Sequence, residues 1–270
     1  MNTNAQKWTV ERIRRLKGAG RIAALTAYDF STARLIDQAG LPLVLVGDSL
    51  GMTMLGYEST LPVTMEDMLH HTKAVVRGVR AALVVSDMPF LSYQISREHA
   101  VEQAGRLLKE AGADAVKIEG GAFRADTVRH LVANGIPVMG HIGLTPQSVR
   151  ALGGYKVQGR GDEAAATLQA DAQALAEAGV FALVLEGIPA PLAGTITAAV
   201  PVPTIGIGAG PGCDGQVLVV HDMLGLFGDF QPKFVQRYAE LGRLMQQAFA
   251  AYKQDVEEGT FPTDEHSYSN

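Results

Sequence analysis

Short runs of consecutive apolar residues alternate along the 270-residue chain with longer stretches in which apolar residues recur every three or four positions. The runs span residues 22–26, 43–46, 82–86, 115–118, 136–139, 181–185, 203–207 and 217–220. Most are rich in adjacent Val, Ile and Leu, the pattern of strands covered on both faces, as in a parallel sheet. Between them, residues 97–111 place Ala100, Ala104, Leu107, Leu108 and Ala111 on one helical face. Residues 162–178 predict a second helix, with Gly179 as its stop signal. Residues 231–256 predict a long terminal helix packed through Phe234, Tyr238, Leu241, Leu244 and Met245. Strand–helix alternation along the whole chain points to parallel strands with helices outside. Eight strands predict closure into a (β/α)8 TIM barrel, an α/β fold; a doubly wound open sheet is the alternative.

Composition narrows this further. Such barrels take roughly 250 residues, so the chain reads as one domain over residues 1–270 with short polar extensions at both ends. A hydrophobic share of 47% suits a sizeable core, and 30 glycines suit many tight turns. The net charge of −5 lacks the basic footprint of a nucleic-acid binder. Cys213 is the sole cysteine, so no internal disulfide forms. No apolar stretch approaches the roughly 18 residues of a membrane span, and residues 1–11 do not read as a signal peptide. A cytoplasmic enzyme of small molecules, with no nucleic-acid or membrane partner, is expected.

The informative residues stand where the apolar runs end. Residues 44–46 lead into Asp48 and Ser49, and residues 83–86 into Asp87. The run 115–118 contains Lys117 and leads to Glu119; the next reaches His141; residues 181–185 lead to Glu186. Ionisable groups from separate strands therefore point at one end of the sheet, the catalytic end in parallel α/β folds. Each has an ordinary reading too. An Asp after a strand is often a helix cap, Lys117 and Glu119 form a structural pair, His141 is a satisfied strand-end histidine, and Glu186 is a surface residue. Yet Lys117 and Glu119 share one strand face, and burying such charges costs several kcal/mol unless they are paired or metal-bound. Converging carboxylates call for a cation. Oxygen ligands suit Mg²⁺ rather than zinc. Residues 205–210 form a glycine run that does not match a dinucleotide fingerprint. Residues 153–161 predict a long, basic-tinged loop over the site.

These motifs closely resemble the ketopantoate hydroxymethyltransferase family. The matching stretches include residues 26–29, 46–52, 59–64, 87–90, 116–121, 140–148, 153–160, 205–210 and 265–267, nearly the whole chain. The resemblance implies a (β/α)8 barrel, Mg²⁺, a 2-oxo acid substrate and 5,10-methylenetetrahydrofolate as one-carbon donor. It implies Asp48, Asp87 and Glu119 as metal ligands, and Asp48, Ser49, Asp87 and Lys117 on the oxo acid. His141 is added as a polarising or orienting group. Glu186 is implied as the proton acceptor, and the assembly as a homodecamer. Two readings compete. A related barrel lyase acting on 2-oxo acids or phosphoenolpyruvate would share the acidic site, but usually carries a reactive cysteine in a Lys-Lys-Cys-Gly-type loop that this chain lacks. A non-catalytic oxo-acid-binding barrel would not need a base.

Overall fold

The computed structural model describes residues 6–227 and 231–269. They fall into two compact units, Met1–Val219 and Val220–Asn270. The first is a closed barrel of eight parallel strands in chain order: β1 (Ile22–Thr26), β2 (Leu43–Val46), β3 (Leu83–Asp87), β4 (Ala115–Glu119), β5 (Val138–Gly143), β6 (Ala182–Glu186), β7 (Thr204–Ile207) and β8 (Gly215–Leu218). Ile22 of β1 pairs with Gly215 of β8 and closes the ring. The open-sheet alternative is thereby excluded.

Side chains alternate across each strand, and that alternation builds both the core and the site. The inward positions near the strand starts are apolar: Leu43 and Leu45, Leu83 and Val85, Ala115, Met139, Ala182 and Val184, all buried in one cluster. Trp8, Val10, Ile13 and Leu16 of the N-terminal segment pack against the same cluster. Each fully buried Leu or Ile contributes about 1.5–3 kcal/mol relative to exposure. Two residues further along each strand, the inward position becomes Asp87, Lys117, His141 or Glu186, and Glu119 follows Lys117. The register aligns Asp87 with Lys117, Glu119 with His141, and Gly143 with Glu186.

The helices follow local rules. Thr64 and Asp67 form a reciprocal capping box on helix Met65–Gly78. Asp29 and Ser96 cap the helices Phe30–Gln38 and Arg97–Lys109. Helix Asp162–Ala178 ends at Gly179, as expected. No described helix is long and apolar enough to cross a membrane.

The second unit corrects one expectation. The terminal helix is Leu241–Glu258, not residues 231–256. Upstream, the backbone N–H groups of Tyr238 and Leu241 donate to the carbonyls of Met223 and Leu224, instead of making helical bonds. The anticipated packed face is also absent: Phe234, Tyr238, Leu244 and Met245 are exposed. Helical periodicity marks an apolar stripe but not what covers it.

Candidate active site

The C-terminal ends of the strands bring the expected residues together. Asp48, Asp87, Lys117, Glu119 and His141 are all buried. Neither Asp48 nor Asp87 caps a helix; the short helix after β2 starts from Ser49 without a side-chain cap bond. The Asp48 backbone N–H donates to Asp87 Oδ2 at 3.0 Å, joining β2 to β3. Lys117 Nζ lies 3.1 Å from Asp87 Oδ1 and 3.2 Å from His141 Nδ1. His141 Nε2 lies 3.1 Å from Glu186 Oε2. Ser49 Oγ pairs with the Tyr28 hydroxyl at 2.8 Å at the edge of the same site.

One ammonium faces three buried carboxylates, Asp48, Asp87 and Glu119. Burial, then the charge of Asp87, pushes the Asp48 carboxyl up to about 7. Burial, then Asp48, raises Glu119 well above the usual carboxylate range. Burial works against the Lys117 ammonium, but Asp87, Glu119 and Asp48 together hold its pKa above the ordinary lysine value. For His141, burial and then the Lys117 charge lower the pKa, so the ring is neutral. An ammonium can only donate, so Lys117 fixes Nδ1 as the acceptor and leaves the ring proton on Nε2, toward Glu186.

Two participants had no predicted role. Gln147 sits on the turn Pro146–Ser148 after β5 and is buried. Its side-chain NH₂ donates to Asp48 Oδ2 at 2.8 Å and to the Met88 carbonyl at 2.9 Å. Its backbone N–H donates to Glu119 Oε2 at 3.0 Å, and its Oε1 accepts from the Tyr93 hydroxyl at 2.7 Å. One residue thus orients two of the acids. Tyr155, from the 153–161 loop, reaches across to Met52 after β2, with its hydroxyl 3.8 Å from the sulfur. Its pKa is raised by burial and then by the charges of Asp48, Glu186 and Glu119.

The donor set suits a hard divalent cation. Asp87 Oδ1 and Glu119 Oε1 are buried without a hydrogen-bond partner, the Lys117 contact to Asp87 Oδ1 being an ion pair out of hydrogen-bond alignment. Among the described residues, no three His, Cys, Asp or Glu side chains already stand close enough together to hold an ion. Cys213 is buried before β8, and burial raises its thiol pKa. A Cβ at Gly206 of the glycine run would meet the Cys213 sulfur at 3.0 Å and the Gln216 side chain at 3.1 Å.

Fold and site together define a (β/α)8-barrel enzyme with an acidic, lysine-containing catalytic mouth. The ketopantoate hydroxymethyltransferase family model matches residues 7–264, and the chain belongs to that family. It is 60% identical to the 3-methyl-2-oxobutanoate hydroxymethyltransferase of Moorella thermoacetica, over 96% of this chain and 97% of the relative. It is 58% identical to the Clostridium novyi enzyme of the same name, over 97% and 96%. Among solved structures it resembles the phosphoenolpyruvate phosphomutase of Streptomyces platensis subsp. rosaceus, with a TM-score of 0.61. That match has 15% identity and covers 97% of this chain and 92% of the other, a likeness of fold alone. The family expectation is borne out, and the chain is a hydroxymethyltransferase in class.

Proposed function

We propose that the chain makes ketopantoate by adding the one-carbon unit of 5,10-methylenetetrahydrofolate to C3 of 3-methyl-2-oxobutanoate, with Mg²⁺ as its resident ion. The observation that carries this reading is the convergence of Lys117, Glu186 and three buried acids at the end of one barrel. Asp48, Asp87 and Glu119 would hold the ion, with side-chain rotation bringing their free oxygens onto it. When bound, it supplies Lewis-acid stabilisation of charge on the keto oxygen.

The chain's own residues do the rest. Lys117 and Ser49 bind the oxo acid, and Lys117 offsets its charge. Glu186 is the most accessible of the mouth acids, with 18% of its side chain exposed. It takes the C3 proton as general base, and the Nε2–H of His141 steadies its carboxylate. The C3 carbon then bonds to the methylene carbon, both carbon–nitrogen bonds that hold this carbon to N5 and N10 of the folate break, water supplies the product hydroxyl, and the C3 proton and the second water proton end on the two nitrogens. The 153–161 loop, with Tyr155 reaching across to Met52, covers the donor and excludes bulk water. The same reading places the enzyme in the cytoplasm as a homodecamer, without nucleic-acid or membrane partners. Leu244, Met245, Phe249 and Tyr252, exposed on the terminal helix, support assembly with further copies.

The test is direct turnover. The chain with 3-methyl-2-oxobutanoate, methylenetetrahydrofolate and Mg²⁺ is expected to yield ketopantoate and tetrahydrofolate. Cleavage of an oxo acid without one-carbon transfer would instead support the lyase reading.

A further inference from the structure

A second cavity, of about 500 Å³, lies beside the acidic mouth, and the proposed mechanism leaves it unassigned. Its walls come from the β4 and β5 ends, the turn after β5, and the first half of helix Asp162–Ala178. The volume lies in the range of small-molecule sites, roughly 300–1,000 Å³. We propose that this cavity seats the pterin ring of the reduced folate, with the Glu163 carboxylate accepting from the ring's N3–H and 2-amino edge. The inference rests on the folate-dependent reading above and adds where the donor binds.

Position comes first. Gly143 lines the cavity and is the register partner of Glu186 across β5 and β6, strands about 4.8 Å apart. The cavity wall at Gly143 is therefore one strand away from the proposed proton acceptor. Only glycine fits at this junction: the Gly143 backbone φ is +95°, and a Cβ there would meet the Glu186 carbonyl oxygen at 2.2 Å. A ring lying in the cavity with its N5 side toward Gly143 presents the transferable carbon to the oxo acid.

Chemistry then selects the ring over the rest of the folate. Glu163, Thr167 and Asp171 recur every four residues along one helix and all line the cavity. Asp171 is already engaged, accepting the Ala122 N–H at 2.7 Å. For the Glu163 carboxylate, no hydrogen bond or ion pair is found among the described residues. A carboxylate fork matches two parallel N–H donors on a flat amidine edge, whereas the two acids repel the carboxylates of a glutamate tail. Ile142, Leu152 and Leu168 offer apolar walls. Phe123, 73% exposed with the Arg124 guanidinium 5.1 Å from its ring, offers a face for stacking.

The experiment is a calorimetric titration of tetrahydrofolate into the full chain with Mg²⁺ and the oxo acid present, alongside steady-state kinetics. Glu163→Gln is expected to weaken tetrahydrofolate binding about tenfold to hundredfold, the loss typical of a charge-assisted hydrogen-bonded pair. Thr167→Trp, which fills the cavity, is expected to weaken it at least as much. In both variants the KM for the methylene donor rises while that for the oxo acid stays put. Parent-like tetrahydrofolate affinity in both variants would overturn the site and leave the functional reading standing. A rise in both KM values would mark a general defect and also overturn it. A parent chain that turns over no folate would overturn the reading and the site together.

Discussion

Two ends of the same barrel bury carboxylates, and they treat them in opposite ways. At the strand starts, Asp214 accepts from Lys17 Nζ at 3.0 Å, the Gly18 N–H at 3.2 Å, and the Thr204 N–H and hydroxyl at 2.9 and 3.3 Å. Burial works to raise its pKa, but the Thr204 N–H and Lys17 prevail, and it lies below the usual carboxylate value. At the strand ends, Asp48 and Glu119 are raised, two buried oxygens lack donors, and one lysine serves several acids. A satisfied acid stabilises the fold. A crowded, under-compensated group of acids stores affinity for a cation and its substrate.

Four changes sharpen or break this contrast. The largest expected effect is at Glu186. Glu186→Gln should lower C3-proton exchange of the oxo acid by about 10²–10⁴-fold, the range of general-base catalysis; rapid exchange measured by NMR in this variant would remove Glu186 from its role. Next comes Gln147. Gln147→Ala takes the side-chain amide donor from Asp48 while the backbone N–H to Glu119 remains, and Mg²⁺ affinity should fall about 10–100-fold, as for lost partners of metal ligands. Calorimetric Mg²⁺ binding equal to the parent's would show that the amide does not organise the site.

The third change is in pH. Because the raised Asp48 must lose its proton to bind the ion, Mg²⁺ affinity should rise about tenfold between pH 6 and pH 8 for one proton with a pKa near 7. The stability sign is opposite without metal. The fold holds the Asp48 proton more tightly than the unfolded chain, whose Asp titrates near about 4. That contribution is complete below pH about 4 and is lost as pH rises through about 7. Added Mg²⁺ should therefore raise Tm more at pH 8 than at pH 6, which thermal scans would check. The smallest effect is at the other end. Asp214→Ala takes the ion-pair partner from Lys17 and the acceptor from the Gly18 and Thr204 N–H groups and should cost about 1–3 kcal/mol of stability, seen as a lower Tm with kcat unchanged. A large fall in kcat would blur the division between the two ends.

The strand ends were legible in the sequence because alternation within a buried strand is strict. Lys117 and Glu119 had to share a face, and Asp87 and Glu186 had to follow apolar inward positions. β5 shows the limit: residues 136–139 were expected, whereas the strand is Val138–Gly143. Its end carries Gly140, His141 and Gly143 in place of apolar residues, so hydrophobicity stops before the hydrogen bonding does. Gln147 was silent for another reason. Its partner Asp48 is 99 residues away, and only the turn after β5 aims both its amides. Tyr155 likewise gains its meaning from the span of its loop across to Met52. The terminal helix start was hidden because Tyr238 and Leu241 give their N–H groups to a neighbouring turn.

The most direct measurement is deuterium uptake at C3 of 3-methyl-2-oxobutanoate, with the folate omitted, comparing chelator-treated enzyme with the same enzyme given Mg²⁺. Uptake that appears only with Mg²⁺ is the predicted result. Equal uptake in both samples would contradict the claim that the crowded acids work by gathering a cation.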